Sequence, residues 1–146
     1  MSKVIRQQIS IKSDPKSIFK ELLSWGRSNW WPKILMQFRD LPEDIQEGTV
    51  YLQKVNLPFG PKWHTRNTLI KSTTYYIQRT FLGGIFDGFE ELTVIPKEDV
   101  SEVAYCFHYI IRGTINELLW FLFFKRLHEK NINLILTSLK QYLEEK

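Results

Sequence analysis

The chain has 146 residues, 43% of them hydrophobic and 14% aromatic, with a formal net charge of +4. That length predicts one domain over residues 1–146 with a core of its own, and the aromatic content excludes a disordered chain. Lysine and arginine are scattered without a basic block or a recognisable motif, so nucleic acid is not an expected partner; a weak bias toward anionic ligands or surfaces is the most the charge supports.

Val4 to Lys12 alternates, with Ile5, Ile9 and Ile11 on one face, as a half-buried strand does. Ser13-Asp14-Pro15 then starts a helix, with Asp14 as N-cap and Pro15 at its first position. Ile18, Phe19, Leu22 and Leu23 form its apolar face. Ser24-Trp25-Gly26 breaks it, and a second short helical or irregular piece carries Trp25, Trp30 and Trp31 to Pro32. From there the character is all strand: Ile34–Leu41, Thr49–Asn56, Lys62–Ser72, Thr74–Leu82, Phe89–Pro96 and Glu102–Arg112. Turn chemistry separates them at Leu41–Asp44, Asn56–Pro61, Leu82–Gly88 and Pro96–Asp99. Connections this short imply an antiparallel meander.

Thr114 to Glu145 lacks proline and glycine and reads as one long helix, with Thr114 as N-cap and Glu117 closing a capping box. At about 100° per residue, Phe121, Phe124, His128, Ile132, Ile135, Leu139 and Tyr142 form one stripe. Leu119, Leu122 and Phe123 extend apolar surface onto the opposite side. A loop at Asn56–Pro61 or Leu82–Gly88 covers that surplus, or it is a homodimer interface or a peripheral membrane contact beside Lys125 and Arg126. Leu118–Phe124 is too short to span a bilayer.

The order strand, two short helices, six strands, long helix predicts an α+β fold. Seven antiparallel strands form a curved sheet, and the long helix lies in its concavity. A bent sheet held off a helix by large side chains leaves an interior cavity suited to a ligand.

This pattern resembles the START-like superfamily of helix-grip domains, also called SRPBCC or Bet v 1-like, and within it the polyketide cyclase/dehydrase-like branch. The resemblance rests on Ser13-Asp14-Pro15 with Ile18-Phe19, on Asn29-Trp30-Trp31-Pro32 and on the Gly84–Gly88 hairpin running through Phe89, Leu92, Val94 and Pro96. The closing segment with His128, Asn131, Leu134, Leu139, Tyr142 and Leu143 completes it. It spans essentially the whole chain, but its motifs are structural and none is catalytic. The family often carries tryptophan where Leu92 stands, a departure that widens the cavity. The resemblance implies a hydrophobic pocket for a lipid, quinone, polyketide or aromatic compound; some members are cyclases and others carriers.

Trp31, Trp63, Tyr75, Leu92, Tyr105, Phe107, Tyr109, Phe121, Phe124 and His128 are the expected pocket residues. His128 stands out as a polar group on an apolar stripe, able to hydrogen-bond a ligand or move a proton. Glu90 shares a face with Leu92 and Val94. At the rim of a cavity it would be an acid/base candidate, whereas at a strand end it is merely solvated, which is the expectation here. His64 and Arg66 share a face of their strand. If concave, that face adds them to the site with His128; if convex, they are surface. His108 lies opposite the aromatic set Tyr105, Phe107 and Tyr109, which points it outward or into a secondary packing layer.

The three histidines have no ligand-type spacing, so no metal and no cofactor is expected. The lone Cys106 allows no intrachain disulfide and reads as a small buried hydrophobe. With no continuous apolar leader at Met1–Lys12, the expected location is the cytoplasm. The expected function is binding of a lipophilic small molecule. The alternatives are a cyclase or dehydratase using His128 or Glu90, and a lipid- or quinone-delivery module.

Overall fold

The structure, a computed structural model, describes residues 3–25, 28–32, 36–39, 46–55 and 62–145. Its elements are β1 (Lys3–Ile11), α1 (Pro15–Leu23), β2 (Met36–Arg39), β3 (Val50–Val55), β4 (Lys62–Lys71), β5 (Tyr76–Leu82), β6 (Phe86–Pro96) and β7 (Ser101–Ile111). They are followed by α2 (Thr114–Leu119), a π-helical segment (Trp120–Phe124) and α3 (Lys125–Glu144). The sheet order is β1-β7-β6-β5-β4-β3-β2, every neighbour antiparallel. The meander runs from β2 to β7, and β1 adds to its far side by pairing with β7, Ile5 opposite Phe107 and Gln7 opposite Tyr105.

Burial alternates along the strands, so one face carries the core. Trp63, Thr65 and Asn67 on β4, Ile77, Arg79 and Phe81 on β5, and Val103, Tyr105, Phe107 and Tyr109 on β7 are buried. Gly88 lets β6 and β7 come together beside this face: a Cβ there would lie 2.0 Å from the His108 carbonyl oxygen. Helix α1 starts as the sequence predicts. Asp14 caps it, accepting from the Ser17 N–H at 2.9 Å and the Ser17 hydroxyl at 2.6 Å; these bonds hold its carboxyl below the usual range.

Three expectations are corrected. After α1, the described residues 24–25 and 28–32 form turns, so a single helix follows β1 there. The tryptophans themselves make the piece compact: Trp25, Trp30 and Trp31 meet at centroid distances of 4.9–6.5 Å. Second, β6 begins at Phe86, because Gly83 and Gly84 at positive φ turn the chain within three residues. Third, the last helix is capped by Gly113 with no side-chain bond, not by Thr114; the Asn116 amide instead donates to the Arg112 carbonyl at 2.8 Å. The turns expected at Leu41–Asp44 and Asn56–Pro61, and the ends of the Ile34–Leu41 strand, lie outside the described residues.

The π-helical segment changes which residues face the sheet. Lys125 N–H donates to the carbonyl of Trp120, five residues back. That adds one residue to the turn, so the position above Phe124 facing the core is Trp120 and not Phe121. Trp120 is 3% exposed and Phe121 69%. Beyond the segment the predicted stripe holds at Ile132, Ile135 and Leu139, which are buried, with Tyr142 half-buried and Leu136 and Leu143 buried beside it, and β1 meets α3 where the Gln7 amide donates to the Glu129 carbonyl at 2.8 Å.

Candidate functional site

The concave face carries an unexpected charge. Arg79 lies between Ile77 and Phe81 at strand spacing, so the pleat that buries those two buries the guanidinium. The register places Glu90 directly opposite. Their side chains are 2% and 4% exposed, and Arg79 Nε lies 3.0 Å from Glu90 Oε1. Glu90 is therefore not the solvated strand-end residue that the sequence suggested. The Trp25 ring lies 4.5 Å from the Arg79 guanidinium, a cation–π contact that roofs the pair from the tryptophan-rich turn.

From Glu90 the polar contacts run to the helix. The Tyr105 hydroxyl donates to Glu90 Oε2 at 2.7 Å and lies 3.1 Å from His128 Nε2. The hydroxyl has one proton, committed to the carboxylate, so the imidazole must donate to the tyrosine oxygen. The neutral ring thus carries its proton on Nε2. His128 also packs against Phe107 and Trp120, at centroid distances of 4.9 and 5.8 Å. Burial among these groups pushes its pKa from 6.5 down to about 4. Tyr105 is raised well above 10, by burial and then by the Glu90 charge.

The His128 shift has a measurable consequence. A folded pKa below the unfolded value means that the unfolded chain binds the extra proton first. The associated stability is complete above about pH 6.5 and is lost as pH falls toward 4. For a half-buried residue we expect a loss of about 2 kcal/mol over that interval. Urea unfolding at several pH values should show this slope in the native chain and a flatter one in His128→Gln; equal slopes would refute the assignment.

The cluster is not fully satisfied by protein. Arg79 Nε and Glu90 Oε1 face each other in the ion pair, while Arg79 Nη2 and Asn67 Nδ2 are buried without a hydrogen-bond partner. A cavity of about 10 Å³, roughly the space of one water, lies beside them, lined in part by Trp25, Tyr51, Asn67 and Arg79.

Most of the predicted pocket residues converge on this interior. Leu92, Tyr105, Phe107 and Tyr109 are at most 2% exposed. Trp63 meets Phe86 at 5.1 Å, and Trp31 packs on Trp25. Phe124 and Tyr75 are half-buried against the core, Tyr75 with its edge on Phe19. Phe121 does not join them, for the reason of helical phase given above. Trp120 takes its place: its indole N–H donates to the Tyr109 hydroxyl at 2.9 Å, and its ring packs against Phe86 and Phe107.

His64 and Arg66 lie on the exposed face of β4, apart from His128. His108 points away from the core, as expected. Leu119, Leu122 and Phe123 are exposed, by 37%, 48% and 63%. Sequence reasoning missed Arg79 and Trp120. The first was legible as a cation at period two between two apolar residues. The second depended on a π-turn that carries no composition signal.

No family model matches the chain, and no curated protein does. Solved structures do. Norcoclaurine synthase from Thalictrum flavum, in complex with dopamine and hydroxybenzaldehyde, is 12% identical with a TM-score of 0.74, over 99% of this chain and 88% of that one. The Zhui aromatase/cyclase from Streptomyces sp. R1128 is 12% identical with a TM-score of 0.72, over 99% and 94%. A START superfamily protein from Mycobacterium smegmatis is 9% identical with a TM-score of 0.72, over 97% of both chains. Identities this low speak to architecture alone. With its curved antiparallel sheet, its long C-terminal helix and these full-length superpositions, the chain has the START-like, helix-grip fold.

Proposed function

We propose that the chain binds a small lipophilic molecule bearing one polar group, held between the concave face and the C-terminal helix. The observation that carries this reading is the Arg79–Glu90–Tyr105–His128 cluster, in which Arg79, Glu90 and Tyr105 are buried, His128 is half-buried and Arg79 Nη2 has no hydrogen-bond partner. An interior built for stability alone gains little from a buried ion pair. A ligand hydroxyl, carbonyl or acid set among aromatic rings would use these groups for orientation, and apolar burial would supply the affinity at roughly 25 cal/mol per Å². The space beside the cluster is that of about one water, so a ligand is admitted only when packed aromatic side chains, Trp120 among them, move aside. Trp120 sits at the start of the π-helical segment, a local interruption of the regular helix of the kind frequent at functional sites.

Native mass spectrometry of the purified chain, with extraction of bound lipophiles, tests the reading directly. In parallel, 1-anilinonaphthalene-8-sulfonate should bind the folded protein saturably at one equivalent. His128→Ala should weaken that binding about fivefold to tenfold, the worth of one hydrogen bond, with the circular dichroism spectrum unchanged. Unaltered affinity, or loss of the fold, would make His128 a structural residue.

A second reading, an enzyme of cyclase or dehydratase type, is favoured by the hydrogen-bonded line His128–Tyr105–Glu90, which can pass a proton between ring and carboxylate. It requires a rate that depends on both Glu90 and His128.

A further inference from the structure

The convex face of the sheet carries a second cluster, independent of the interior. Glu91 and Cys106 are cross-strand partners on β6 and β7, and His108 stands two residues beyond Cys106 on the same face. Their ligand atoms all lie within 4.8 Å of one another. His108 Nε2 is 3.2 Å from Cys106 Sγ and 2.7 Å from Glu91 Oε1.

We propose that Glu91, Cys106 and His108 form a binding site for a single Zn²⁺ ion, with one coordination position left to solvent or to a further ligand. Thiolate, imidazole and carboxylate together suit this borderline-soft cation and not the hard Mg²⁺ or Ca²⁺. In a tetrahedral Zn²⁺ site, with sulfur at about 2.3 Å and nitrogen at about 2.0–2.1 Å, those two ligand atoms stand about 3.5 Å apart. The two sides that meet at His108 Nε2, 3.2 Å to sulfur and 2.7 Å to oxygen, are shorter than such a site needs, because the histidine bonds directly to both groups, and side-chain rotations open them.

The supporting groups are those a metal site uses. The Tyr76 hydroxyl donates to Glu91 Oε2 at 2.5 Å, orienting the carboxylate and leaving Oε1 toward the histidine. The Phe89 ring stacks on His108 at a centroid distance of 4.5 Å and fixes the imidazole plane. The histidine and glutamate side chains are 32% and 28% exposed, so the ion has access from solvent. On binding, the Cys106 thiol gives its proton to the buffer, and the sulfur, Nε2 and Oε1 lone pairs form the metal bonds.

Single histidine spacing conceals this site in the sequence. Its ligands come from two strands, and only the β6–β7 register sets Glu91 beside the Cys106-x-His108 pair.

The test is titration of the tag-free full chain with Co²⁺ under reducing conditions, followed by displacement with Zn²⁺. The expected result is one equivalent bound, tetrahedral visible bands and a sulfur-to-cobalt charge-transfer band, all lost on adding Zn²⁺. Cys106→Ser should abolish the charge-transfer band, and Glu91→Gln should weaken Zn²⁺ binding by about tenfold or more. Circular dichroism should show that both variants remain folded. A spectrum without the sulfur band, or one that persists in Cys106→Ser, would overturn the assignment. So would the same Zn²⁺ affinity in Glu91→Gln.

Discussion

Glu90→Ala should destabilise the chain by about 3–5 kcal/mol, as removal of one partner from a buried ion pair does. The truncation leaves the Arg79 guanidinium, 2% exposed, without its carboxylate and takes the acceptor from the Tyr105 hydroxyl. The double variant Arg79→Met/Glu90→Leu should recover most of that stability, because apolar groups of similar volume suit the surrounding Ile77, Phe81 and Leu92. Comparison of the two separates stability from function. If the cluster anchors a ligand's polar group, the double variant remains folded yet binds 1-anilinonaphthalene-8-sulfonate more weakly than the native chain. A Glu90→Ala loss below about 1 kcal/mol in urea unfolding would mean that water reaches the guanidinium and that the pair is not buried in solution.

Gly88→Ala should be nearly as damaging, about 3 kcal/mol or more. The added methyl carbon would lie 2.0 Å from the His108 carbonyl oxygen and 2.9 Å from the Tyr109 Cα. Both obstacles are backbone, so the sheet has to part at its β6–β7 pairing, the register that also holds Glu90, Tyr105 and the convex-face cluster. A midpoint of denaturation within error of the native chain would show that the two strands separate there without penalty.

Much of the architecture was legible because it is periodic. Alternation along β7 separates Tyr105, Phe107 and Tyr109 from Cys106 and His108, and the structure keeps that division. The Asp14-Pro15 cap is local chemistry, and it forms as written. Local signals failed where the conformation did not depend on composition. The tryptophan-rich turn remained open between helix and irregular chain because indole stacking supports either. Gly113 displaced Thr114 as the cap because a glycine at φ 86° can end one element and begin the next without a side chain.

The candidate site was half legible. His128 drew attention as a polar residue on an apolar stripe, and the stripe is real over α3. Glu90 is legible on an apolar face but reads as solvated, because a lone acid beside Leu92 has no reason to be buried. Arg79 supplies that reason, and the two are eleven residues apart in sequence and opposite only through the β5–β6 register.

The sequence alone determined the succession of strands, the antiparallel meander, the inward faces of β1, β6 and β7 and the amphipathic spine from Ile132 to Leu143. All of these follow from residue periodicity and turn chemistry acting over short distances. Tertiary structure decided which charges meet and which aromatic ring closes the interior. Ion pairing across strands depends on register, and the choice of Trp120 over Phe121 depends on one extra residue in a helical turn, stabilised by packing against Phe86, Phe107 and Tyr109.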